Sequence, residues 1–355
     1  MKILDSCYEI EFNKINFQER KEKITHPKTI VCGPPKTGKS YLIYDYLSNF
    51  DSKDYLYINL DDFRNQKDEI VLFLNDFIKE KKIKVLVLEN FDFDFEIPTT
   101  DSVLISTSNY KEIYGFKTIF VHALDFEEYL LHDSKHQNTI ASFNHFLKYG
   151  NLPEMIVLDE NKKINRLQEI IKLFCKDRTE IEVLKLLLSS IDENKSINQL
   201  FTILKKSIKI SKDRFYELCK FYESNQLIFF LKKYNQEKST KKIYAYNHAF
   251  LSSISHNKKF KNEFTNMVFL HLQKEYKNIY YLDKIDFFIE DNRTLVLSIP
   301  FFNTMLHGSI IKKIHSFIDE LNIQHVYIIT AGNSENLKYQ KIEINILPFY
   351  EWAVQ

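Results

Sequence analysis

The sequence predicts an α/β chain built on a parallel sheet, and three observations carry that expectation. Short apolar runs alternate with amphipathic stretches between residues 28 and 124. The run "KVLVLENFD" (Lys84–Asp92) is almost continuously apolar, as a strand covered on both faces requires. The segment "IVCGPPKTGKSYLIYDYL" puts two of only six glycines between a strand-like run and a helix-like one.

That segment is the first element to justify. "TIVC" reads as a short buried strand, and "SYLIYDYLSNF" has apolar residues at helical spacing. Between them, Gly33-Pro34-Pro35-Lys36-Thr37-Gly38-Lys39-Ser40 fits G-x-x-x-x-G-K-[ST]. A strand, a tight loop and a helix start form a cup of backbone N–H groups at the positive end of a helix dipole, which suits phosphate oxygens. The nucleotide-binding candidates are therefore Gly33, Pro34, Pro35, Lys36, Thr37, Gly38, Lys39, Ser40 and Tyr41. Lys39 is expected to reach the β- and γ-phosphates, and the Ser40 hydroxyl to ligate Mg²⁺. This is a P-loop NTPase pattern.

The next segments extend it. "YLYINLDDF" (Tyr55–Phe63) is a second strand, "KDEIVLFLNDFIKEKK" (Lys67–Lys82) an amphipathic helix, and Lys84–Asp92 a third strand. "DSVLISTSN" (Asp101–Asn109) and "TIFVHAL" (Thr118–Leu124) supply two more, giving five strands with crossover helices and a ligand at the strand C-termini. "VLVLEN" is the natural strand for a metal-holding acid, so Glu89 joins Lys39 as a catalytic candidate and Ser40 as a metal ligand. Asn90 follows where a water-activating carboxylate is usual, and an amide cannot take a proton. Asp92, Asp61 or Asp62 is left to substitute, and hydrolysis is expected to be weak or partner-dependent. Ser106, Thr107 and Asn109, past the fourth strand, are candidate γ-phosphate sensors or plain turn residues. No guanine-reading N/T-K-x-D element follows, so ATP is favoured over GTP.

Bulk properties exclude other classes. At 355 residues the chain is long enough for several cored domains, and 44% hydrophobic with 27% charged residues is ordinary for a globular protein. A net charge of +1 provides no global field toward nucleic acid or membrane. With Phe at 30 and Tyr at 21, any one aromatic is weak evidence of function. Cys7, Cys32, Cys175 and Cys219 form no CxxC pair, the first residues carry charges where a signal peptide is apolar, and no membrane-spanning run occurs. Together these predict a cytoplasmic protein without a zinc site. His132 and His136 at i, i+4 could offer two metal ligands on a helix face, with no third in view.

After the sheet come "ALDFEEYLLHD" (Ala123–Asp133) and "FNHFLKYGNLPEMIV" (Phe143–Val157). The chain resembles the prokaryotic AAA-like P-loop ATPases that carry a winged helix and a C-terminal restriction-endonuclease-like domain. "ALDFEEYL" matches their "PLSFxEFL"-like segment, and "FLKYGNLPE" their "YLxxGGxPE"-like one. Pro35 and Lys36 stand where the family loop often has two arginines, and Glu89-Asn90 where it usually has Asp-Glu. The resemblance implies a P-loop ATPase domain over 1–160, a winged helix over 161–255 and an endonuclease-like domain over 256–355.

The middle region also reads as a winged helix from its residues. "RTEIEVLKLLLSSI" (Arg178–Ile191), "SINQLFTILKKS" (Ser196–Ser207) and "SKDRFYELCKFYESN" (Ser211–Asn225) are helices, two of them opened by a serine cap. "LIFFLKKYN" and "KKIYAYN" form a hairpin. Lys205, Lys206, Lys209, Lys212, Arg214 and Lys220 make a basic face for DNA phosphates, or a solvated surface on a module that packs against a protein partner. In the C-terminal region the endonuclease-like fold would need a helix acid, a strand Asp and E-x-K. Asp286 supplies the Asp, but Thr265 stands at the helix position, with Glu263 nearby, and Ser298-Ile299-Pro300 at E-x-K. Nuclease activity is therefore expected to be lost. The functional expectation is an ATP·Mg²⁺-binding switch. The alternative is a DNA-binding regulator or defence factor, and a small-molecule kinase is disfavoured by the long remainder. Arg64 is the one arginine inside the sheet region for an inter-subunit role.

Overall fold

The computed structural model describes residues 2–8, 10–12 and 19–355, and the chain divides into two compact units, Met1–Ala123 and Leu124–Gln355. The first unit runs α1 (Lys2–Tyr8), β1 (Lys28–Cys32), α2 (Lys39–Leu47), β2 (Tyr55–Asn59), α3 (Lys67–Lys81), β3 (Val85–Glu89), β4 (Ser102–Thr107) and β5 (Lys117–Phe120). All five strands are parallel, in the order β2-β3-β4-β1-β5. The chain leaves β1 for the far edge at β2, returns strand by strand to β4, then crosses β1 to lay down β5.

Alternation along the strands sorts the two faces. Leu56, Ile58, Leu86, Leu88, Val103 and Ile105 pack with Ile70, Leu74 and Phe77 of α3. Tyr55, Tyr57, Val85, Val87 and Leu104 pack with Leu42, Ile43 and Leu47 of α2. Helices were expected at every crossover. Residues 90–101 and 108–116 instead connect β3 to β4 and β4 to β5 without one. Leu4 and Cys7 of α1 join the α3 face, and the helix-free crossovers cover it too, with Phe91, Phe93 and Phe95 from the first and Ile113 and Phe116 from the second.

The second unit begins with α4 (Phe126–His132), α5 (Thr139–Tyr149), α6 (Glu154–Val157), α7 (Glu160–Lys172), α8 (Arg178–Ser189), α9 (Ile197–Leu204) and α10 (Lys212–Ser224). An antiparallel pair follows, β6 (Ile228–Leu231) with β7 (Lys242–Ala245), then α11 (Phe250–Ile254). Ser196 and Ser211 cap α9 and α10, accepting from the backbone N–H groups of Gln199 and Arg214. The remainder is α12 (Phe260–Glu275), β8 (Ile279–Leu282), β9 (Ile285–Ile289), β10 (Thr294–Ser298), α13 (His307–Glu320), β11 (His325–Thr330), β12 (Glu335–Tyr339), β13 (Ile342–Pro348) and α14 (Phe349–Trp352). Its sheet has the order β12-β13-β11-β10-β9-β8, parallel at β10-β11-β13 and antiparallel elsewhere.

The polar stretches Asp159–Lys163 and Ser252–Lys259 lie within this unit. The first is the start of α7, with Lys163 only 1% exposed. In the second, Lys259 Nζ donates to the Ser189 carbonyl at 2.8 Å and pairs with Glu193. Polarity here serves contacts inside the unit.

Gly150, in the "KYGNLPE" turn, has φ +83°, and a Cβ there would stand 2.4 Å from Asn247 Oδ1. Asn247 is fully buried and accepts from the Ala249 N–H at 2.9 Å, so it cannot yield cheaply. Gly150→Ala is expected to destabilise the second unit by about 2–4 kcal/mol. Urea unfolding followed by the fluorescence of Trp352, the chain's single tryptophan, measures it directly.

Candidate functional site

The loop after β1 is built from left-handed backbone. Gly33, Lys36 and Gly38 have φ of +144°, +65° and +100°. Two of these positions are glycine, which takes such angles without steric cost, and Lys36 is exposed. Gly33 has a second reason. A Cβ there would lie 2.6 Å from the carbonyl oxygen of Val121, just past β5, where the chains are parallel neighbours. Pro34 and Pro35 have no N–H, so the loop's donors are Gly33 and the residues from Lys36 onward, and α2 starts immediately at Lys39 with Gly38 as its cap.

Lys39 is buried, and its Nζ donates to the carbonyls of Gly33 at 2.8 Å and Pro34 at 2.9 Å. Burial lowers its pKa to about 8, with Cys32 and Glu89 drawing it back up and Lys36 lowering it further. Strand alternation brings Glu89 to the same side. Val85, Val87 and Glu89 share the α2 face of β3, and the Ser40 hydroxyl donates to Glu89 Oε1. Burial raises the Glu89 carboxyl, partly offset by the Ser40 hydrogen bond and by Lys39. Ser106 is level with Glu89 on the neighbouring strand, on the same face as Leu104. Its hydroxyl is buried with no hydrogen-bond partner, an orphan that a polar ligand would satisfy.

Other candidates are divided. Asn90 is left-handed at φ +57° and donates to Asn59 Oδ1 at 3.0 Å. Asp92 accepts from Asn109 Nδ2 at 2.8 Å, and Asp61 is raised by burial and by Asp92, so these carboxylates share one electrostatic neighbourhood. Asp62 is engaged by Arg64 in its own turn, and Arg64 is 88% exposed. The Thr107 hydroxyl accepts from the Asn109 N–H at 3.0 Å, which is turn chemistry. Tyr41 is on the first turn of α2 with its ring partly exposed.

Sequence reasoning missed Arg20. It is buried, with Nη1 donating to the Thr37 carbonyl at 2.7 Å and Nη2 to that of His122 at 2.9 Å. It ties the loop crest to the chain beyond β5. No local pattern marks it, because these two acceptors are backbone atoms distant in sequence.

In the second unit, Asp286 does not face Thr265 or Glu263. Thr265 Oγ1 donates to the Lys261 carbonyl, and the half-buried Glu263 is directed toward Ser252. The α12 residue that reaches Asp286 is Lys261, Nζ to Oδ1 2.8 Å. Lys261 and Lys242 also bind the two oxygens of Asp192 at 2.9 and 2.7 Å, while Asp286 Oδ2 accepts from the Ser298 N–H at 2.8 Å. Burial would raise the Asp286 carboxyl, but the two ammonium groups outweigh it and hold it low. Two lysines and two aspartates thus neutralise one another where a nuclease would gather carboxylates around a metal.

The histidine pair is not on a helix face: α4 ends at His132, and His136 pairs with Asp133 at 2.7 Å. Among the described residues no three His, Cys, Asp or Glu side chains form a metal cluster. Arg214, expected on a phosphate-facing surface, is paired with Asp177, the cap of α8. Among the described residues no helix is long and apolar enough to cross a membrane.

No family model matches the chain. It is 25% identical over 387 residues to the uncharacterized protein MJ1544 of Methanocaldococcus jannaschii, covering 92% of this chain and 88% of that protein. Among solved structures it is similar to the Walker-type ATPase PABY2304 of Pyrococcus abyssi, with a TM-score of 0.43 and 12% identity over 65% of this chain and 91% of that one. That likeness is too loose to assign chemistry.

Two outcomes follow from these contacts. Arg20→Leu leaves the Thr37 and His122 carbonyls without their charged donor and should loosen the loop, seen as faster amide exchange at residues 36–38 with β3 exchange unchanged. Asp192→Asn removes one charge of this quartet and should cost the second unit about 1–2 kcal/mol in Trp352-monitored unfolding, less than a fully buried pair would, because the Lys261 side chain is 47% exposed.

Proposed function

We propose that the first unit binds ATP·Mg²⁺ at residues 33–41 as a switch that the second unit reads, with weak or partner-dependent hydrolysis. The observation that supports this best is the left-handed nest at Gly33, Lys36 and Gly38, with Lys39 and Ser40 opposite Glu89. The donor set fits the ligand. Loop N–H groups and the Lys39 ammonium meet phosphate oxygens, and the Ser40 hydroxyl with the Glu89 carboxylate offers the hard oxygens Mg²⁺ prefers. Held by Ser40 and Glu89, Mg²⁺ would supply neutralisation of phosphate charge.

The chain's own residues limit the chemistry. Asn90 is committed to Asn59 and takes no proton, and Asp92 accepts a hydrogen bond from Asn109. Binding is thus better provided for than hydrolysis. No specific observation favours the DNA-reading alternative, since Arg214 is held by Asp177.

The Lys39 pKa sets a pH signature. A bound polyphosphate favours the ammonium form, so above about 8 binding must take up a proton and affinity falls, by up to about tenfold per pH unit. Below that value Lys39 is already charged and contributes no slope. Calorimetry of ATP with Mg²⁺ from neutral pH upward should show this decline, and Lys39→Ala should weaken binding by about tenfold or more and abolish the decline. Equal ATP affinity in wild type and Lys39→Ala would refute the reading. Turnover above roughly 1 s⁻¹ would mean that another carboxylate replaces Asn90, identified by Asp61→Asn and Asp92→Asn.

A further inference from the structure

The second unit contains a cavity of about 600 Å³ beside the Asp286 cluster, within the size range of small-molecule sites. Its walls come from the β8–β9 turn, the end of β10 and the segment that follows, and the first turns of α13. The carboxylates that line it are neutralised. Asp286 is held by Lys261 and Lys242, and Asp283 by Lys233 Nζ at 2.9 Å. Lys284 and Lys313 also line it, and neither meets a carboxylate among the described residues. The cavity therefore carries an excess of two positive charges.

Two further features point to a ligand. The Ser298 side chain lines the cavity, is 1% exposed, and has no hydrogen-bond partner for its hydroxyl. Buried hydroxyls are normally bonded, so this one is available to an occupant. The opposite character is supplied by Ile299, Leu306, Ile310 and Phe301. The Phe301 ring is 71% exposed and stacks on Phe260 with centroids 5.0 Å apart, leaving an aromatic face to the surroundings.

We propose that this cavity binds a small phosphate monoester with an aromatic or aliphatic body. A monoester carries about −1.5 to −2 charges at neutral pH, which matches two unpaired ammonium groups better than a carboxylate's single charge. The Ser298 hydroxyl donates to a phosphate oxygen, and the body lies against Phe301 and its aliphatic neighbours. This site is independent of the loop at residues 33–41, and the proposal does not rest on nucleotide binding there.

The test uses the full chain carrying Lys39→Ala, so that phosphate binding at the loop is suppressed. Phenyl phosphate and adenosine 5′-monophosphate are the probes, followed by calorimetry and ³¹P line broadening. Saturable binding is expected for both, at least fivefold tighter than benzoate or inorganic phosphate. Lys284→Glu with Lys313→Glu should weaken it tenfold or more, and Ser298→Ala several-fold, with Trp352-monitored melting confirming that both variants fold. Phe301→Ser should lower phenyl phosphate affinity while leaving inorganic phosphate unchanged. Failure of both probes to saturate, unchanged affinity in the double lysine variant, or inorganic phosphate binding as tightly as phenyl phosphate would overturn the proposal.

Discussion

The backbone of Gly33 lies against the backbone of Val121 so closely that no side chain fits between them, and the geometry of the loop is referred to that contact. β1 and β5 are hydrogen-bonded up to Cys32 and Phe120, so the loop leaves the sheet already fixed in direction. Gly33 then turns at a positive φ, Arg20 holds the Thr37 carbonyl, and Gly38 turns again to start α2. Each step consumes a conformation or a hydrogen bond that an ordinary β–α turn does not need. The sheet order matters for the same reason: β5 must be laid beside β1 for Val121 and His122 to be present at all.

Within the loop, the polar groups satisfy one another. Lys39 binds the carbonyls of its own loop, and Ser40 binds Glu89. A phosphate ligand therefore exchanges contacts with these groups instead of entering a set of idle donors. Net binding energy is the difference between two good sets of hydrogen bonds, which is smaller than either. The burial that lowers the Lys39 pKa also strengthens its attraction to a polyanion, because the same low-dielectric surroundings act on both.

In the second unit, charge is also arranged internally. Asp192, Asp286, Lys242 and Lys261 form a neutral group at the place where the C-terminal sheet presents its single strand aspartate. The ammonium group of Lys261 on α12 meets Asp286 directly, and the chain after β10 continues as Ile299-Pro300. The arrangement is sensitive to loss of one aspartate, most at Lys242, whose side chain is 10% exposed, and least at Lys261, which is 47% exposed.

Local chemistry was legible in the sequence wherever adjacent residues determine it. The loop motif, the five strands, the serine caps of α9 and α10 and the β6–β7 hairpin all depend on spacing, turn residues or short-range capping. Asn90 could be discounted as a base from its side chain alone. What only the tertiary structure decided was pairing between distant residues. Arg20 meets carbonyls at Thr37 and His122, and Lys261 instead of Thr265 reaches Asp286. Each case has its physical reason. Backbone acceptors look alike in every sequence, and a lysine's long stem lets its charge act far from its own position, so neither leaves a periodic trace along the chain.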